Sequence, residues 1–162
     1  MKAKFLLQIL VVSCLFIFAF ALELMPWPAA FQSFKPSWLV LVLLYWILAI
    51  PNKVSIGTAF VLGIIWDLIL GSILGVHALV LSIFAYLIAT NHLVLRNLSL
   101  WFQGILAMLF VITIRFSIFL IEYFLYSAHF NWQEIFGAIA SGILWPWVFL
   151  LLRKIRRQLD LR

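Results

Sequence analysis

Charge is what this sequence has least of. Only 10% of its 162 residues are Asp, Glu, Lys or Arg, and 5 are acidic; a soluble domain carries roughly 25% charged residues. That supply cannot cover a water-facing surface, so the composition excludes a soluble globular protein. A lone cysteine, Cys14, excludes an intramolecular disulfide and, set in an apolar run, reads as a core-packing residue. No two His or Cys residues share metal-ligand spacing, and no glycine-rich phosphate loop is present. Ser, His and Asp occur without a nucleophile context, and the acidic residues form no repeated acidic motif. No catalytic residue, metal or cofactor is expected.

What is abundant is apolar: 67% of the chain, with a mean hydropathy of +1.22. The class is all-α integral membrane protein. The length allows one domain over 1–162, with room for five or six crossings at about 20 residues each. A net charge of +6 would point to nucleic acid in a soluble protein. Here the placement of charge matters more, and no nucleic-acid partner is expected. Lys2 and Lys4 precede an apolar run over 5–22, longer than a signal core of roughly 7–15 residues. More membrane sequence follows, so the run reads as a retained first helix.

Runs and breakers divide the chain into six helices at about 5–24, 37–50, 54–70, 73–90, 100–126 and 135–152. "MPWP" (25–28) ends the first, because two prolines forbid continuation. The second, between Pro36 and Pro51, is short: about 21 Å at 1.5 Å per residue. A tight Gly71–Ser72 turn joins the third to the fourth. Basic residues then set the orientation. With the N-terminus in the cytoplasm, Lys2, Lys4, Lys53, Arg96, Arg153, Lys154, Arg156, Arg157 and Arg162 fall inside. Lys35 falls outside and Arg115 lies within the fifth helix. Five crossings would destroy that bias, so six crossings with both termini cytoplasmic is the reading. Trp27, Trp38 and Trp132 fall at the outer interface and Trp101 at the inner one, as an aromatic belt requires. Pro146 lies inside the sixth helix, removes the bond to the Gly142 carbonyl, and predicts a kink there. Small residues four apart (Ala59/Gly63, Gly71/Gly75, Gly137/Ser141) permit close helix contact.

Polar groups in lipid are costly and draw functional suspicion. They are Gln8, Asp67, His77, Arg115 and Glu122; Asp67 and His77 fall in the outer half of the membrane, Arg115 near mid-depth of the fifth helix, and Glu122 two turns further out. One reading joins Asp67, His77, Arg115 and Glu122 in a single buried network. The plainer reading treats each alone. Asp67 then secures the turn between the third and fourth helices by accepting from backbone donors where the fourth begins. Arg115 snorkels or bonds carbonyls locally, Glu122 and Glu23 reach interfacial water, and His77 is structural. His92 and His129 fall in loops and are assigned nothing. Arg153, Lys154, Arg156 and Arg157 form a basic tail after the last helix. They serve as topology determinants and anchors for anionic lipid, each worth about 1 kcal/mol, or as a docking site for a cytoplasmic protein.

The stretches "MPWP" (25–28), "FKPSWLVLVLLYWILAIP" (34–51), "VSIGTAFVLGIIWDLILGSILGV" (54–76), "RNLSLW" (96–101) and "GILWPWVFLLLRK" (142–154) resemble the rod shape-determining MreD family in its gammaproteobacterial form. Arg115 is not part of that pattern. The resemblance implies a non-catalytic inner-membrane component of the cell-elongation machinery. It also implies work with MreC, actin-like MreB, the glycosyltransferase RodA and a penicillin-binding transpeptidase in lateral peptidoglycan synthesis. The family is distantly similar to the six-helix substrate-binding subunits of vitamin transporters. That likeness implies a fold, and an alternative function as a small solute- or lipid-binding module. The alternative would need an outward cavity lined by Asp67, His77 and Glu122.

Overall fold

The computed structural model describes residues 2–26, 28, 35–50, 54, 56–71, 74–126 and 134–159, and every regular element among them is a helix. In chain order these are α1 (Lys2–Leu24), α2 (Trp38–Ala49), α3 (Ile56–Leu70), α4 (Val76–Thr90), α5 (His92–Arg96), α6 (Leu100–Tyr126) and α7 (Glu134–Leu159). By length and composition, α1, α6 and α7 can each cross a membrane, while α2, α3 and α4 are shorter apolar helices.

The core is organised around α2. Its sequence, WLVLVLLYWILA, is apolar on every side, the pattern of a helix surrounded by protein. Accordingly Leu39, Val40, Leu41, Leu43, Leu44, Tyr45, Trp46, Ile47 and Leu48 are all buried, and α2 touches α1, α4, α5, α6 and α7. Its 12 residues reach only about 18 Å, well short of a hydrocarbon layer of roughly 30 Å.

Two close approaches set the outer pairs. α3 meets α4 at Gly63, where an added Cβ would fall 2.5 Å from the Ala78 nitrogen and 2.8 Å from the His77 carbonyl carbon. α6 meets α7 at Gly104 and Gly142. Pro146 deprives the Gly142 carbonyl of its helical donor, and that oxygen faces Gly104, where a Cβ would stand 3.0 Å away. A bare α-carbon opposite a freed carbonyl permits a weak C–H···O contact, and α7 runs through Pro146 without ending.

Several boundaries differ from the sequence expectation. α4 starts at Val76 rather than near 73. Gly71 and Gly75 belong to the connecting turn, with φ of 69° and 104°, and are not a helix-packing pair. Such left-handed backbone suits glycine because it has no Cβ to clash. α7 extends to Leu159, so Arg153, Lys154, Arg156 and Arg157 are helical and not a tail beyond the helix. Arg153 and Arg156 are half-buried there, while Lys154 and Arg157 are exposed. α5 was not anticipated, because five residues carry no readable period. Cys14 is exposed on α1 and is not a core residue. Trp27 and Trp132 lie outside the described residues.

The glycine contacts yield a paired expectation. Gly63→Ala must push α3 off the Ala78 backbone and should cost about 1–3 kcal/mol. Gly57, on the same helix, has nothing within 4 Å of an added Cβ, so Gly57→Ala should be neutral or slightly stabilising. Thermal unfolding of both variants in detergent checks this; equal midpoints would refute the close-contact account.

Candidate functional site

Asp67 is 0% exposed in the last turn of α3. A carboxylate there opposes the α3 dipole, so its favourable interactions must come from elsewhere. They come from the start of α4. The N-cap residue of α4 is Gly75, which has no side chain to cap with. Asp67 supplies the cap from the neighbouring helix. Its Oδ2 accepts from the Gly75 amide at 2.9 Å, and its Oδ1 from the His77 amide at 3.2 Å. His77 adds a third bond, Nδ1 to Asp67 Oδ1 at 2.6 Å. With the carboxylate ionised, the proton of that bond sits on Nδ1. The imidazole, 6% exposed, lies on the Trp66 ring with centroids 4.6 Å apart. Packing therefore closes this corner on its apolar side.

A second polar cluster holds the start of α2. A helix leaves its first amides unbonded, and here α1 and α7 supply acceptors for them while α6 braces the residues just before the helix. Glu23, near the end of α1, accepts from the Leu39 amide through Oε1 at 3.2 Å. The Ser37 amide donates to Ser141 Oγ on α7 at 2.8 Å, and Ser141 donates onward to the Gly137 carbonyl at 2.9 Å. From α6, Arg115 Nη2 donates to Ser37 Oγ at 2.9 Å and to the Lys35 carbonyl at 3.2 Å. Lys35 in turn donates to the carbonyls of Glu23 and Met25. Glu23 suits the positive end of the α2 dipole, whereas Arg115 does not. Gly137 makes room for this crossing, since a Cβ would lie 2.6 Å from the Lys35 carbonyl oxygen and against Arg115.

At the other end of α2 the signs reverse, as a dipole requires. Arg96 from α5 donates to the Leu48 carbonyl through Nε at 3.0 Å and Nη2 at 2.6 Å. Gln103 on α6 donates to the carbonyls of Leu95, Arg96 and Leu98, and its Oε1 accepts from the Trp145 indole at 3.3 Å. These bonds fix α5 against α6 and α7.

The structure thus brings Asp67 and His77 together and seats Arg115 at the start of α2, where Ser37 and Lys35 receive it. Glu122, half-buried, has no hydrogen bond or ion pair among the described residues. Glu23 was assigned to interfacial water and instead caps α2. Ser37 and Gln103 were not singled out, because a serine or glutamine at a helix end has no periodic signature, and Ser141 and Arg96 entered only as a small packing residue and an inside cation. The signal that could have found them is the length of α2, whose buried ends demand partners. Among the described residues no group of three His, Cys, Asp or Glu side chains could hold a metal.

The Asp67 geometry sets an order of damage. Asp67→Asn keeps one acceptor for His77 but turns an NH2 toward the Gly75 amide, and should cost about 1–3 kcal/mol. Asp67→Leu strands both amides and the imidazole and should cost more. Unfolding midpoints and membrane abundance of the two variants check this order; a harmless Asp67→Leu would refute the cap.

The profile of the family described as rod shape-determining protein MreD matches residues 3–155. A relative named rod shape-determining protein MreD, from Haemophilus influenzae, is 65% identical over 161 residues, covering 99% of each chain. No solved structure matches the chain. With the profile spanning nearly the whole sequence and a relative of that identity end to end, the chain belongs to the MreD family of rod shape-determining proteins.

Proposed function

We propose that this chain is a non-catalytic scaffold in the bacterial inner membrane that binds MreC. In that role it supports lateral peptidoglycan synthesis with MreB, RodA and a penicillin-binding transpeptidase. Membership of a rod shape-determining family supports the cell-shape role. The observation that carries the scaffold reading over a solute-binding one is the state of the Asp67 corner. Its carboxylate and imidazole are spent on each other and on the α4 amides, and both are buried. A solute site needs convergent polar groups left free for a ligand. A scaffold needs rigid helix faces, and caps shared between helices supply that rigidity. The apolar surface left open on α1, α6 and α7, including Phe18, Trp101, Phe124 and Trp147, is available to lipid or to a partner helix.

In this reading the chain forms one domain of six crossings, with α5 as an inner-surface connection and both termini in the cytoplasm. The excess of Lys and Arg at one end supports that orientation. Cysteine labelling at Ser33 and Phe130 should report the outside, and at Asn52, Asn97 and Leu161 the inside; all but Asn97 lie outside the described residues. An outside report at Asn52 would mean that the second segment does not cross. Partner binding is tested by purifying tagged full-length protein from membranes in mild detergent. MreC should co-purify and crosslink to defined helix faces. If protein that restores rod shape recovers no MreC, direct binding is wrong.

A further inference from the structure

Where α2 stops at Ala49, a cavity of about 320 Å³ opens between α2, α6 and α7. Its walls include Tyr45, Arg96, Gln103, Phe149, Arg153 and Arg156, and no carboxylate is among the described lining residues. Guanidiniums that share one cavity repel each other unless an anion lies between them. Arg96 spends Nε and Nη2 on the Leu48 carbonyl, which leaves further donors of its five. Tyr45 is an independent pointer. It is 1% exposed, and its ring is held edge-on against Trp46 and Phe149, each at 5.3 Å between centroids. Its hydroxyl nevertheless has no hydrogen-bond partner among the described residues. A phenylalanine would pack as well without the cost of a stranded hydroxyl. The charges of Arg156, Arg153 and Arg157, in that order, act on that hydroxyl against its burial.

We propose that this cavity binds the phosphate of an acidic phospholipid, with Arg153 and Arg156 gripping the phosphate oxygens and Tyr45 donating its hydroxyl. A lipid fits better than a free anion for two reasons. The cavity sits where α7 passes from Phe149–Leu152 to its cluster of cations, the level at which an apolar span meets headgroups. Its walls also carry Leu98, Leu100 and Phe149 beside the cations, and its volume falls among small-ligand sites of roughly 300–1,000 Å³. A phosphodiester without an ammonium group, as in phosphatidylglycerol, adds no further cation to a cavity that already has three. The inference goes beyond general attraction of a basic surface, because it assigns the half-buried Arg153 and Arg156, which line the cavity, a role that the exposed Lys154 and Arg157, which do not line it, do not share. It rests on this end of the bundle lying at a headgroup layer and not on any protein partner.

The test uses delipidated full-length protein in uncharged detergent, titrated with dioctanoyl-phosphatidylglycerol and read by unfolding midpoint and by native mass spectrometry. Saturable binding of one lipid is expected, with dioctanoyl-phosphatidylcholine and inorganic phosphate each at least about tenfold weaker. Arg153→Gln/Arg156→Gln should lose about tenfold in apparent affinity, the loss of a charged hydrogen bond or more. Tyr45→Phe should lose roughly fivefold in lipid affinity while its lipid-free midpoint rises, because the stranded hydroxyl is gone. The charge-matched pair Lys154→Gln/Arg157→Gln should change affinity by less than about threefold. Equal losses in the two double variants would overturn the cavity in favour of general surface attraction. Inorganic phosphate binding as tightly as the lipid would overturn the lipid assignment, and phosphatidylcholine binding equally well would overturn the anion requirement. None of these readouts involves MreC, so failure here leaves the scaffold reading standing, and the reverse holds.

Discussion

A 12-residue helix surrounded by other helices has ends whose backbone groups those neighbours must meet, and most of the polar chemistry described here follows from that. An α-helix leaves amides unbonded at one end and carbonyls at the other. Stranding such a group in an apolar interior costs about 1–3 kcal/mol. α2 therefore needs partners from outside itself. It receives acceptors from Glu23 and Ser141 at its start and a guanidinium from Arg96 at its finish. Both charges have the sign that the helix dipole favours. A single short helix thus ties α1, α6 and α7 together at one end and α5 at the other.

The same logic explains residues that look misplaced when taken one at a time. Asp67 opposes the dipole of its own helix, yet it caps α4, whose N-cap glycine cannot cap itself. Arg115 sits near the positive end of α2, yet it bridges Ser37 and the Lys35 carbonyl beside Glu23. Gly137 and Gly63 are the steric counterpart, since each lies where a Cβ would strike a neighbouring backbone. Capping in trans demands close approach, and close approach demands small residues. These features belong to one constraint.

The helical class, the two long late helices and the shortness of α2 were legible because hydropathy and proline position act locally. The Asp67 contact with the α4 amides was legible for the same reason: the connecting turn is short, so sequence distance bounds spatial distance. The Ser37 and Lys35 partners of Arg115 were not legible, because they depend on how α2 and α6 cross, which no periodicity encodes. Glu23 was misread for a related cause. Sixteen residues separate it from Leu39, and only the reversal of direction after "MPWP" brings them together. Cys14 was misplaced because in a membrane bundle the apolar residues face outward as well as inward, so hydrophobicity no longer distinguishes core from surface. α5 was missed because a single turn and a half carries no pattern.

The two ends of α2 are satisfied in different ways, and the difference separates structural from binding chemistry. At its start each of the polar groups Glu23, Ser37, Ser141 and Arg115 has a bond to a named partner within the bundle. Nothing there is left for a ligand without dismantling a cap. At its finish the Leu48 carbonyl is met by Arg96, but the Tyr45 hydroxyl is not met, and Arg153 and Arg156 line the space beside it. A bundle stabilised only by its own contacts has no reason to bury a hydroxyl next to three guanidiniums and leave a cavity between them. The closed end fixes the relative positions of α1, α2, α6 and α7, and the rigidity it confers is what holds the open end in shape. Polar residues of the same chemical types therefore act as internal caps in one place and, in the role proposed for them, as anion ligands in the other, and which role each takes is decided by whether α2 needs it.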